Sequence, residues 1–168
     1  MPTRRAALLT AATAACSACL AGCGFELRRA PEFHFRTIQL SGFKPHSPLA
    51  EELRLNIDAS PATRVVDTLP QAQVVLEVIA DERLRVVAAS GSAGQVNEFQ
   101  LRSRFTFRLR SVSGKELIPS TEILLTRDMS YTEHAELAKE QEAAFLYRAM
   151  ESDIVAQVLR RLASVQTL

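Results

Sequence analysis

Val96-Asn97-Glu98-Phe99-Gln100-Leu101-Arg102-Ser103-Arg104-Phe105-Thr106-Phe107-Arg108-Leu109-Arg110-Ser111-Val112 alternates between two kinds of residue. Phe99, Leu101, Phe105, Phe107 and Leu109 occupy odd positions. Glu98, Gln100, Arg102, Arg104, Thr106, Arg108 and Arg110 occupy even ones. Neighbouring side chains of a strand point to opposite faces, so this segment is a strand with one apolar and one arginine-rich face. A sheet built around it needs an apolar layer on one side only.

Working outward, Ser113-Gly114-Lys115 reads as a tight hairpin turn into a strand from Ile118 to Tyr131, with Pro119 near its start, where a missing donor is tolerated. On the other side, Ser90 to Gly94 is a turn that follows a strand from Gln73 to Val87. In that strand Val74, Leu76, Val78 and Ala80 share a phase that Leu84 and Val86 resume. Glu82 falls on the same phase, the mark of a bulge or of a strand that outruns its core. A first strand runs from Phe33 to Leu40. Ser47-Pro48 opens a short helix as an N-cap followed by proline in the first turn, with Leu49, Leu53 and Ile57 at helical spacing. Asp58 to Asp67 reads as connecting loop. The last element is a helix from Ala135 to Ala163, on which Tyr147, Met150, Ile154, Val158 and Leu162 recur every three or four residues. Its acids lie early and Arg160 and Arg161 late, as the helix dipole favours. Ser130 and Glu133 have capping-box spacing just before it.

The expected fold is therefore an α/β two-layer sandwich in the order β-α-β-β-β-α. It has a four-stranded mixed sheet and two helices packed on one face. A parallel crossover joins the first two strands, and the rest form an antiparallel meander.

The N-terminus carries a different signal. Arg4 and Arg5 precede an apolar run, Ala6 to Ala21, too short and alanine-rich for a good membrane span. It ends in Leu20-Ala21-Gly22-Cys23, a lipobox-like sequence in which the cysteine is lipidated and the chain cut before it. An ordinary secretory signal with a chance cysteine is the plainer alternative. On the lipobox reading, residues 1–22 are a signal peptide, 23–31 an anchored lead, and 32–168 a single domain. The covalent diacylglycerol and N-acyl chain on Cys23 are then the only attached groups, and no cofactor is expected. Removing Arg4 and Arg5 with the signal leaves 18 basic against 19 acidic residues, which argues against wholesale nucleic-acid binding. Cys23 would be the one cysteine remaining of three, so no internal disulfide forms.

No catalytic constellation stands out. His34, His46 and His134 are scattered singly, which disfavours a metal centre. Gly91-Ser92-Ala93-Gly94 reads better as a turn than as a nucleophile elbow. Glu136, Glu140 and Glu142 fit a solvated helix start. The arginine face remains: either a solvated strand face with gatekeeping charge, or a binding face for phosphate and carboxylate groups.

Three segments together resemble a known family. Cys23-Gly24-Phe25-Glu26-Leu27-Arg28 is similar to the mature start of the lipopolysaccharide-assembly outer-membrane lipoproteins, the LptE (rare lipoprotein B) family. Gly94-Gln95-Val96-Asn97-Glu98-Phe99-Gln100-Leu101 resembles the start of its central strand. Leu137-Ala138-Lys139-Glu140-Gln141-Glu142, with Met150 and Val158-Leu159-Arg160-Arg161-Leu162, resembles its final helix. The resemblance implies a non-enzymatic lipoprotein of the outer membrane, facing the periplasm. Such a protein plugs the lumen of the LptD β-barrel, helps it assemble, and assists delivery of lipopolysaccharide to the cell surface. It also implies lipopolysaccharide binding through basic residues, carried over here to Lys139. Strand geometry adds Arg102 and Arg104. The alternative is a periplasm-facing lipoprotein that binds or shuttles lipid without a barrel partner. An envelope hydrolase has no sequence feature in its favour.

Overall fold

A computed structural model describes residues 32–92 and 94–166. The signal segment, Cys23 and the lead to residue 31 lie outside the described residues.

The chain runs β1 (Thr37–Ser41), α1 (Pro48–Asp58), β2 (Arg64–Val66), β3 (Val74–Ser90), β4 (Val96–Ser111), β5 (Glu116–Ser130) and α2 (Glu136–Ala163). One mixed sheet holds the strands in the order β2-β1-β3-β4-β5. β1 pairs in parallel with both β2 and β3, while β3, β4 and β5 form an antiparallel meander. The α/β class, the two helices and the meander are as the sequence implied. Among the described residues the sheet has five strands and not four. Arg64–Val66, assigned above to a loop, is a short edge strand beside β1, so α1 connects β1 to β2 and not to β3. Three residues are too few to carry an alternation, and this strand is held by register with β1 rather than by a pattern of its own.

Helix α1 starts as its residues dictate. Ser47 is extended at φ −65°, ψ 118°, and its hydroxyl accepts a hydrogen bond from the Ala50 N–H at 3.4 Å. Leu49, Leu53 and Ile57 are buried, and Leu55, off their stripe, is exposed. Helix α2 starts without such help. Ala135 occupies its N-cap position with no side-chain cap bond, and a 3-10 turn, Glu133–Ala135, precedes it. Ser130 belongs to β5 and is not the N-cap of α2.

Both helices cover one sheet face. Leu49, Leu53 and Ile57 of α1 and Ile154, Val158 and Leu162 of α2 share a core with Ile38, Leu76, Phe105, Phe107 and Leu109. Burying side chains of this size stabilises by roughly 1.5–3 kcal/mol each, less the entropy of ordering them. A smaller core of Leu101, Met129, Ala143 and Met150 lies under the first half of α2.

Of the two readings of Glu82, the bulge is the one present, and it exchanges the strand's faces. Register shifts between Val78 and Ala80, leaving Ile79 as the extra residue. Before it, Leu76 and Val78 pair with Leu109 and Phe107 on the core side. After it, Glu82, Leu84 and Val86 lie opposite Arg104, Arg102 and Gln100, on the face away from the helices. Leu84 and Val86 therefore do not resume the face of Val74 and Leu76, as a strictly two-residue period would require.

Candidate functional site

The sheet face left open by the helices is built from the even residues of β4 and their neighbours. Its cross-strand rows are Glu77–Arg108, Glu82–Arg104–Leu124, Leu84–Arg102–Thr126 and Val86–Gln100–Asp128. The face divides into two regions.

Toward the core end the arginines are neutralised. Arg110 Nε donates to Glu77 Oε1 at 2.5 Å, and Arg108 Nη2 lies 2.6 Å from Glu77 Oε2. One carboxylate thus serves two guanidinium groups. The hydrogen bond from Arg110, reinforced by Arg108, holds the Glu77 carboxyl below its usual range against the opposing effect of burial. Arg104 is paired with Glu82, which raises the guanidinium pKa further.

Farther along, Arg102 meets no carboxylate among the described residues. Its Nε donates to Gln100 Oε1 at 2.8 Å, and Gln100 in turn donates to Asp128 at 3.1 Å. Leu84, Val86 and Leu124 are exposed around it. An unneutralised guanidinium among apolar side chains suits a ligand with anionic and apolar parts.

Lys139 is elsewhere. It sits on α2, in the layer covering the opposite sheet face, and its Nζ donates to Ser130 Oγ at 3.1 Å and to Glu142 Oε2 at 2.8 Å. The structure brings Arg102 and Arg104 together on one face and leaves Lys139 apart from them.

The helix-facing side carries a second polar group that the sequence reading missed. Beyond the bulge, Arg83 and Arg85 point toward α2. Arg83 pairs with buried Glu151 and lies 5.5 Å from the Tyr147 ring centre. Arg85 binds Glu140 through both carboxylate oxygens, at 2.5 and 3.1 Å, which lowers the Glu140 pKa. Tyr147 donates to the Leu84 carbonyl at 2.8 Å, and burial raises its phenol pKa. The available signal was Asp81, Arg83 and Arg85 at alternate positions, legible only once the bulge is placed. A cleft of about 360 Å³ opens beside this group, lined by Lys44, His46, Asp81, Arg83 and Glu151. Among the described residues, no group of three or more His, Cys, Asp and Glu is placed to hold a metal ion. No helix among them is long and apolar enough to cross a membrane.

The family model for lipopolysaccharide assembly, LptE, matches residues 35–162, from the lead into β1 to the last turn of α2. The chain belongs to the LptE family. Solved structures agree with the LptE fold. Lipoprotein B from Nitrosomonas europaea, an uncharacterized protein solved by NMR, is 28% identical with a TM-score of 0.70, covering 84% of this chain and 91% of that one. The rare lipoprotein B of Shewanella oneidensis is 22% identical with a TM-score of 0.65, covering 77% and 95%. A minor lipoprotein of Acinetobacter baumannii, 18% identical, has a TM-score of 0.64 and covers 79% and 94%; these last two speak for the fold alone. A search of curated proteins finds no match. Membership in LptE makes this a lipoprotein family member with a role in lipopolysaccharide assembly.

Proposed function

We propose that this LptE-family chain is a non-enzymatic plug and assembly factor for the LptD β-barrel, anchored by lipid on Cys23 at the periplasmic face of the outer membrane. The observation that carries this reading is the family match, which spans the fold from β1 to α2. The open sheet face is compatible with it. A barrel lumen is polar, and a plug seated there needs a surface whose charges are already matched. Glu77 and Glu82 supply that matching for Arg108, Arg110 and Arg104. Direct contact with lipopolysaccharide is a second activity of the same protein, with Arg102, Arg104 and Lys139 as the basic residues. Arg102 leads because no carboxylate among the described residues pairs with it.

Affinity purification of the tagged chain from detergent-solubilised envelopes tests the proposal. A stoichiometric large β-barrel protein in the eluate is the expected result. Recovery of the chain alone, or with phospholipid, would favour the alternative of a lipid shuttle. That alternative calls for an apolar cavity, whereas the cleft beside α1 is lined by charged groups such as Lys44, Asp81 and Arg83.

A further inference from the structure

β5 is the terminal strand of the sheet, and no strand among the described residues pairs with its outer edge. From Thr121 to Ser130 its register with β4 runs without a shift, from Phe107↔Thr121 to Glu98↔Ser130. Pro119 and both irregularities lie at the other end. Edge strands are usually blunted by charge, proline or a bulge; Thr121–Ser130 has no proline, lysine or bulge, and its charges are Glu122, Arg127 and Asp128, two of them acids that select for a basic partner.

The direction of the free groups follows from one bond. The Tyr131 N–H donates to the Asn97 carbonyl at 2.8 Å. Antiparallel residues alternate between bonding their neighbour and pointing away. Glu122, Leu124, Thr126 and Asp128 therefore turn N–H and C=O outward, and the Thr126 carbonyl accordingly accepts from the adjacent Arg127 guanidinium at 3.3 Å. The same residues place their side chains on the open sheet face. Among the described residues neither Glu122 nor Asp128 enters an ion pair. Asp128 accepts from the Gln100 amide, and Glu122 feels only through space an Arg104 that Glu82 already holds.

We propose that Thr121–Ser130 receives an extended segment of a partner protein as a sixth strand. That segment carries basic side chains six residues apart, opposite Glu122 and Asp128. Its residues on the helix side are apolar where they lie beside Ile123 and Leu125, and those on the open face beside Leu124 and Thr126 are small and polar. Main-chain bonds supply the docking and the charge pairs set the register. A second copy of the chain does not fit. Two-fold antiparallel pairing of β5 with itself opposes open-face residues to open-face residues, and Glu122, Leu124, Thr126 and Asp128 include no base. Arg127 lies on the helix face, 3.2 Å from Asp153. The proposal specifies the chemistry of a segment, and its test uses no barrel, so it stands or falls apart from the plug reading.

The probe is a fluorescent ten-residue peptide with lysine at its second and eighth positions and alternating valine and threonine elsewhere, titrated against the full chain in detergent. It should bind about tenfold more tightly than the same peptide with glutamate at those positions. Methylating the peptide amides that face β5 should abolish binding. Hydrogen exchange should slow at Glu122, Leu124, Thr126 and Asp128, and the E122K/D128K variant should prefer the glutamate peptide. Equal binding of the two peptides, undiminished binding of the N-methylated one, or protection confined to other strands would each overturn the proposal.

Discussion

Arg83 on β3 and Glu151 on α2 form an ion pair across the helix–sheet interface, with the carboxylate buried and the guanidinium still 43% exposed. The pair exists because the bulge at Ile79 turns Arg83 toward the helix layer. Removing one partner strands the other. Glu151→Ala should destabilise the domain by about 2 kcal/mol, less than for a fully buried pair because water still reaches Arg83. The double replacement R83M/E151L should recover most of that loss. Urea denaturation of the three proteins checks both expectations, and a double variant as weak as Glu151→Ala would show that the pair contributes more than its own neutralisation.

Gly42 has φ +83°, and a Cβ placed there would lie 2.7 Å from the Val78 carbonyl oxygen, a backbone atom next to the bulge. Gly114 has φ +95° but nothing within 4 Å. Gly42→Ala should therefore cost about 2–3 kcal/mol, combining left-handed strain with a collision, while Gly114→Ala should cost only about 1 kcal/mol. Equal melting shifts for the two variants would contradict this account.

The pH dependence follows from Glu77. Arg110 and Arg108 depress its folded pKa below the ordinary 4.5. Above 4.5 the carboxylate is charged in both folded and unfolded chains, and the stabilisation is fully present. As pH falls through 4.5 the unfolded chain takes up the proton first, so stability declines until the folded pKa is passed. The native protein should lose more stability between pH 6 and acid pH than Glu77→Gln does. Thermal melts across that window decide the point.

Lipopolysaccharide binding should weaken in the R102A/R104A/K139A variant while its circular dichroism stays native. Taken singly, Arg102→Ala should lose more affinity than Arg104→Ala, by roughly three- to tenfold, because only Arg104 is already held by a carboxylate. Unchanged binding in a folded triple variant removes these residues from the site.

The fold was legible where a pattern ran long enough to fix a phase. β4 needed only its own sequence: Leu101, Phe105, Phe107 and Leu109 are buried, and the even residues face away. Ser47-Pro48 located α1 by capping chemistry. β2 was not legible, since Arg64-Val65-Val66 becomes a strand only by lying against Thr37-Ile38-Gln39. In β3, Glu82 allowed a bulge or an overrunning strand and did not show where the phase would change. The candidate site was half visible for the same reason. The arginines could be read from β4, but their neutralisation by Glu77 and Glu82 depends on how β3 is registered against it.

The two ends of α2 rest on different foundations. From Ile154 to Leu162 the helix is set in the main core, whereas up to Glu151 it lies on a small apolar cluster fastened by Arg85–Glu140, Arg83–Glu151 and Tyr147. Salt weakens the half-exposed Arg85–Glu140 pair of the second support and barely touches the first. In strong salt the start of α2 should therefore exchange its amides faster than its end, so that one helix would report two local stabilities.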